Sequence, residues 1–267
     1  MDTKLFISSD IEGTCGIAAW DEATKDKGDY PPFALQMTRE VAAACEGALA
    51  GGASDILVKD AHDSARNIQP GLLPEQARIF RGWGSDPYSM MSGLDDTFGG
   101  VMFTGYHSGA GWSGNPLSHT MNTQNNHVLI NGASASELMI NSLTASMFGV
   151  PVLMVTGDRM LCEWYRTVNP AALTVPVSEG RGNGSISMHP DKAVRLIRQT
   201  AEKAAGLDRA ACLYPTPDHF TVEVDYHKHA VARGRSFYPG ARQKDERTVV
   251  YESDKWMDVL TFFHFCL

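Results

Sequence analysis

The sequence predicts an α/β fold, a mainly parallel sheet covered by helices with a smaller α+β portion toward the C-terminal end. Three observations carry this reading. The runs KLFISS (Lys4–Ser9), DILVK (Asp55–Lys59), VMFT (Val101–Thr104) and PVLMVT (Pro151–Thr156) are apolar without clear polar alternation, as expected of strands buried on both faces. Stretches with helical spacing fall between them. Each run ends in polar or ionisable residues: Asp10-Ile11-Glu12-Gly13, Asp60-Ala61-His62, Gly105-Tyr106-His107 and Gly157-Asp158. In parallel sheets the crevice beyond the carboxyl ends of the strands is where ligands bind, so a site is expected there.

The helices follow from periodicity and stop signals. Phe33–Ala50 carries Leu35, Met37, Val41, Cys45 and Leu49 near one face, and Gly51-Gly52 ends it. Ser134–Phe148 reads as a helix with Ser134 as its cap and Glu137 three residues on, as in a capping box. The second half is less regular. Thr174–Val177 is a strand candidate, and His189–Ala205 a helix with Pro190 suited to its first turn. His219–Asp225 alternates like a half-buried strand, Thr248–Tyr251 is another strand candidate, and Asp254–Phe265 a final helix. The Gly- and Ser-rich stretch Ser178–Ser185 marks either a division between a catalytic core (1–178) and the smaller portion (179–267) or a turn within one continuous domain.

Composition excludes several classes. The 267 residues suffice for a sizeable core, and 43% hydrophobic with 20% charged residues is ordinary for a globular protein. A formal net charge of -8 leaves no excess of Lys and Arg to neutralise phosphates, which argues against nucleic acid and anionic membranes as partners. No stretch approaches the roughly 18–20 apolar residues of a membrane span, and MDTKLFISSD lacks the h-region of a secretory signal. The five cysteines are odd in number, scattered and without C-x-x-C. They read as reduced thiols of a cytoplasmic protein.

The ionisable residues at the strand ends are the candidates for chemistry. Asp10 and Glu12 share a face if the strand continues that far; two such carboxylates repel unless a cation sits between them. The bland alternative is a helix-cap acid with a solvated neighbour. His62 follows Asp60, which could orient the imidazole or serve only as a turn acid. His107 and His119 bracket the glycine-rich loop HSGAGWSGNPLSH, either a plain surface loop or a cover for a site. Glu137 is either a capping acid or a ligand. His227 and His229 have the spacing of one strand face. His127, His189, His219 and His264 have no such setting. Cys15 reads as a buried thiol, and Asp158 as a weak candidate for a substrate or supporting contact. Together, Asp, Glu and His suit zinc better than other common metals. Five such ligands exceed the needs of one ion and suit a pair about 3.5–4 Å apart. That chemistry covers amides, esters and phosphoesters alike.

The ordered motifs SSDIEG, KDAHDSARN, MFTGYHSGA, PLSHTM, ASASELMINS and PVLMVTGD resemble those of the D-aminopeptidase family of bacterial zinc peptidases, family M55. The resemblance is close from Lys4 to about Asp158 and looser beyond. It implies two zinc ions per subunit, with Asp10 bridging them, Glu12 and His62 completing one site, and His107 and Glu137 the other. It implies His119 as the catalytic residue, a short peptide or amino acid amide as substrate, and a homo-oligomer, a decamer in that family. The expected function is release of N-terminal, D-configured amino acids. The competing readings are a two-metal phosphoesterase and a non-enzymatic peptide-binding protein.

Overall fold

The computed structural model describes residues 3–267. Along the chain, strand β1 is Thr3–Ser9, the short helix α1 Trp20–Ala23, and helix α2 Tyr30–Ala50, followed by β2 Ala53–Asp60, β3 Ala77–Phe80 and β4 Gly100–Tyr106. Next come β5 Asn125–Ile130, β6 Ala133–Ser134, α3 Glu137–Met147, β7 Val152–Asp158, α4 Arg159–Val168, β8 Leu173–Arg181, β9 Gly184–Ser187 and α5 Pro190–Ala205. The last part is β10 Phe220–Tyr226, α6 His229–Arg235, β11 Arg242–Gln243, β12 Thr248–Ser253 and α7 Trp256–Cys266.

The first sheet has the order β3-β2-β1-β4-β7-β8-β9. Every pairing in it is parallel except the last, β8 with β9. The four apolar runs read from the sequence are β1, β2, β4 and β7, so the expected mainly parallel α/β fold is the one found. β1 shows why these runs lack polar alternation. Leu5 and Ile7 pack with Met37, Val41 and Ile197 of α2 and α5 on one face, and Phe6 packs into the layer on the other. Both faces are dry, so neither selects polar residues.

That other layer contains α3, α7 and a second, antiparallel sheet of order β11-β12-β10-β5-β6. It draws β5 and β6 from the first half of the chain and β10, β11 and β12 from the second. The expected division at 178/179 falls within β8, and the Gly- and Ser-rich stretch forms the β8–β9 hairpin, turning at Gly182 with φ 61°. Two local expectations are corrected. The helix expected from Ser134 starts at Glu137, because Ser134 pairs with Leu129 in β6. His227 and His229 do not share a strand face. β10 ends at Tyr226, and His229 opens α6.

Strand order places the site. From β1 the sheet grows through β2 to one side and through β4 to the other, so β1 lies at the point where the winding reverses. The carboxyl ends of β1, β2 and β4 deliver Asp10, His62 and His107 to one crevice, the position expected for a ligand in such sheets. Among the described residues no helix is long and apolar enough to cross a membrane.

The seam between α2 and α5 is closed by glycine. A Cβ at Gly47 would lie 2.1 Å from the Arg198 carbonyl oxygen and 2.8 Å from the Ala201 Cβ. Gly47→Ala gains about 1 kcal/mol of helix propensity, but the overpacking costs about 1–3 kcal/mol. The variant is expected to melt below the wild type in a thermal unfolding scan.

Candidate metal centre

β1 stops at Ser9, and residues 10–13 form a turn held into the sheet. Asp10 N donates to Thr104 O (2.8 Å), Gly13 N to Gly105 O (2.8 Å) and Thr14 N to Ile11 O (2.9 Å). The expectation that strand geometry aims Asp10 and Glu12 to one side is therefore replaced by a turn that does so. Its depth explains the glycine of the DIEG motif: a Cβ at Gly13 would lie 1.8 Å from Tyr106 O. Glu12 is further tied through its carbonyl, which accepts from Asn115 Nδ2 (2.9 Å).

Asp10, Glu12, His62, His107 and Glu137 converge, all buried. His62 Nδ1 lies 3.2 Å from Asp10 Oδ1 and 3.1 Å from Glu12 Oε2. His107 Nε2 lies 3.4 Å from Asp10 Oδ2 and 3.5 Å from Glu137 Oε2. Asp10 thus belongs to two clusters, one with Glu12 and His62 and one with His107 and Glu137, each with ligand atoms within 4.8 Å of one another. His119 joins a third such group with Glu12 and His107. Its Nε2 is 3.5 Å from Glu137 Oε1 and 3.9 Å from Glu12 Oε1, and its ring stacks on His107 at 4.3 Å.

Each histidine has one ring nitrogen committed to the backbone. His62 Nε2 contacts Ala23 O (2.7 Å), His107 Nδ1 contacts Ser108 O (2.9 Å) and His119 Nδ1 contacts Leu117 O (2.9 Å). A carbonyl only accepts, so each of these nitrogens carries a proton, and the opposite nitrogen faces the carboxylates, donating to them when protonated and free to bind a cation when not. Within the cluster, Glu12 Oε2 and His107 Nε2 are buried without a hydrogen-bond partner. Burial alone raises the Glu12 carboxyl, yet the adjoining His62, His107 and His119 hold it well below the usual carboxylate range. Burial likewise opposes charge on His62 and His107, but the carboxylates around them raise both well above the ordinary imidazole value. A divalent cation would compete with those protons for the same lone pairs. Orphaned donor atoms, three carboxylates and neutral-capable imidazoles together fit zinc.

Of the supporting residues, Asp60 takes the turn-acid role, Asp158 makes a supporting contact, and Glu137 departs from the capping reading. Asp60 does not touch the His62 ring. Its carboxylate accepts from Asn67 N (2.6 Å), Ile68 N (2.8 Å) and Asn67 Nδ2 (2.8 Å), and Asn67 Nδ2 also donates to His62 O (2.7 Å). It shapes the loop that presents His62. Asp158 caps α4 through Leu161 N (2.9 Å) and accepts from Ser108 N (2.5 Å) and Ser108 Oγ (2.8 Å), bracing the residue next to His107. Glu137 is not half of a capping box. Ser136 caps α3 through Met139 N, while Glu137 Oε1 accepts from Met121 N (2.7 Å). Cys15 is a buried thiol pushed up to about 12 by burial and by Glu40, which rules out a thiolate nucleophile near neutral pH. Asn67, Ser108 and Asn115 lay inside or beside recognisable motifs, but Ser108 and Asn115 reach partners far along the chain, the Asp158 carboxylate and the Glu12 carbonyl, that no spacing rule reveals.

The centre opens into a cleft of about 310 Å³, lined also by Trp20, Thr24, Asp63, Trp83, Met121 and Asn122. Among the described residues, no Lys or Arg lines it.

Comparison with known proteins shows the family. A family model described as Peptidase_M55, D-aminopeptidase, matches residues 3–265. The chain belongs to the M55 family of D-aminopeptidases. It is 31% identical over 249 residues to a curated D-aminopeptidase of Bacillus subtilis (strain 168), covering 92% of this chain and 90% of that protein. Its fold is similar to the solved structure of the Zn-dependent D-aminopeptidase DppA from Bacillus subtilis, a self-compartmentalizing protease, with a TM-score of 0.90 and 27% identity over 99% of this chain and 96% of the other. As a member of the M55 family, the chain is a hydrolase acting on peptide bonds.

Behind the 10–13 turn of this M55 centre lies Glu40 of α2. Its Oε1 accepts from Cys15 N (3.0 Å) and Gln36 Nε2 (2.9 Å), and burial pushes its carboxyl up to about 7 from 4.5. Folding therefore retains a proton that the unfolded chain has already released. Glu40 costs nothing below about pH 4.5, and its cost grows as pH rises to about 7. Glu40→Gln keeps an acceptor and removes the charge. In denaturant unfolding its stability relative to wild type is expected to rise from pH 5 to pH 8, by on the order of 3 kcal/mol at most.

Proposed function

We propose that this chain is a two-zinc aminopeptidase that releases N-terminal, D-configured amino acids from short peptides or amino acid amides. The observation that carries the reading is the Asp10 carboxylate, shared by two ligand clusters whose inner lone pairs lack protein partners. Asp10 would bridge the ions, Glu12 and His62 would hold one, and His107 and Glu137 the other. When bound, zinc supplies Lewis acidity to the scissile carbonyl and to water.

The remaining work falls to the chain's own residues. With Nδ1–H given to Leu117 O, His119 turns Nε2 toward Glu12 and Glu137 at the cleft. There it takes the proton given up by the attacking water and hands it to the leaving amine. The Trp20 ring packs edge-on against the His119 ring, their centroids 5.3 Å apart. Asp60 and Asp158 keep the two ligand loops in place. A cleft without Lys or Arg on its lining suits an amine-bearing substrate and offers no side-chain cation to grip a phosphate, which disfavours phosphoester hydrolysis. Zinc use and the D configuration rest on the relatives' own descriptions. So does assembly: a self-compartmentalizing relative supports a homo-oligomer, and we extend this to a decamer. The free, buried cysteines support a cytoplasmic setting.

Elemental analysis is expected to find about two zinc ions per chain, and chelation to abolish release of D-alanine from D-alanine amide. A protein without transition metal, whose activity survives Glu12→Ala, would refute the proposal. His119→Ala is expected to lower kcat by about 10²–10⁴ while zinc content stays unchanged. Loss of zinc with it would make His119 a ligand instead.

A further inference from the structure

An enzyme that removes N-terminal residues must recognise a free α-ammonium. That group lies about 2.5 Å from the scissile carbonyl carbon, so its anchor has to stand beside the metal clusters without belonging to them. Of the carboxylates lining the cleft, Asp10, Glu12 and Glu137 are committed to the clusters. The fourth is Asp63, directly after His62. We infer that the Asp63 carboxylate receives the substrate's α-ammonium and so confines cleavage to N-terminal residues. This inference rests on the aminopeptidase reading above.

Three features of Asp63 support the assignment. Asp63 is exposed, and its carboxylate has no hydrogen bond or ion pair among the described residues, although its backbone is held firmly. The turn closes by Ala65 N donating to His62 O (2.7 Å), and Trp83 Nε1 donates to Asp63 O (2.8 Å). The Trp83 ring is itself fixed over the Lys59 ammonium at 4.5 Å. Asp63 also adopts φ 43°, a left-handed conformation that favours glycine and is tolerated by Asp at some cost. Glycine would form the same turn with less strain, so the turn does not account for the side chain. Finally, the cleft's other charged or chargeable lining groups are the cluster residues and His119, which leaves Asp63 as the free anion for a substrate cation.

The test compares D-alanine hydroxamate with propionohydroxamate, which differs in lacking the ammonium. Binding of both to zinc-loaded full-length protein is measured by calorimetry, and KM for D-alanine amide is measured alongside. Asp63→Asn is expected to weaken D-alanine hydroxamate about tenfold or more, as for loss of a charge-assisted hydrogen bond. KM should rise in parallel, while propionohydroxamate binding stays unchanged. Asp63→Gly, which relieves the backbone, should show the same selective loss, separating charge from conformation. If an active wild type and its Asp63→Asn variant bind both hydroxamates alike, or the variant weakens both equally, the inference is overturned and the function stands. A zinc-loaded wild type that binds neither hydroxamate and spares D-alanine amide overturns the function and the inference together.

Discussion

Three buried carboxylates, those of Asp10, Glu12 and Glu137, stand within contact of the same imidazoles. Taking each ion out of water costs several kcal/mol even after relaxation, and their mutual repulsion adds to it. Nothing in the apolar layers around them offsets this. Protonated histidines can offset part of it, and a pair of divalent cations can offset more while satisfying the orphaned Glu12 Oε2 and His107 Nε2. Much of the local structure around the crevice serves to hold those charges where a cation can bridge them.

Rigidity is supplied from the backbone outward. Gly13 lets the 10–13 turn sink against the end of β4, and at Gly157 a Cβ would lie 1.9 Å from the same Tyr106 oxygen. Backbone carbonyls of Ala23, Ser108 and Leu117 select the tautomers of His62, His107 and His119. Carboxylates stand one step further back: Asp60 acts through Asn67, and Asp158 through Ser108. Neutral carbonyls orient imidazoles without adding negative charge to a centre already rich in it. That accounts for acids being kept off the ring nitrogens that face away from the three carboxylates.

Much of the site was legible in the sequence because the strands of a parallel sheet all deliver their carboxyl ends to one side. Once KLFISS, DILVK and VMFT read as such strands, Asp10, His62 and His107 had to approach one another. Glu137 and His119 were less legible. Glu137 sits at the start of α3, where an acid is also expected for helix reasons, and His119 ends an irregular loop. The capping-box reading failed because Ser134 is drawn into β6, a two-residue strand stabilised by pairing with Leu129 and Ile130. The second sheet was hidden for a related reason. β5 and β10 are far apart in sequence, and their antiparallel pairing has no local signature.

The sequence by itself determined the parallel α/β core, the family and which acids and histidines meet at the crevice, since these depend on local apolar runs and on ordered motifs at their ends. Tertiary structure alone decided how Asp10 and Glu12 are aimed, what orients each imidazole, and that Asp63 lines the cleft with its carboxylate unpaired among the described residues. These depend on contacts between distant segments, such as Glu12 with Asn115 or Trp83 with Asp63, whose geometry is set by packing and leaves no periodic trace along the chain.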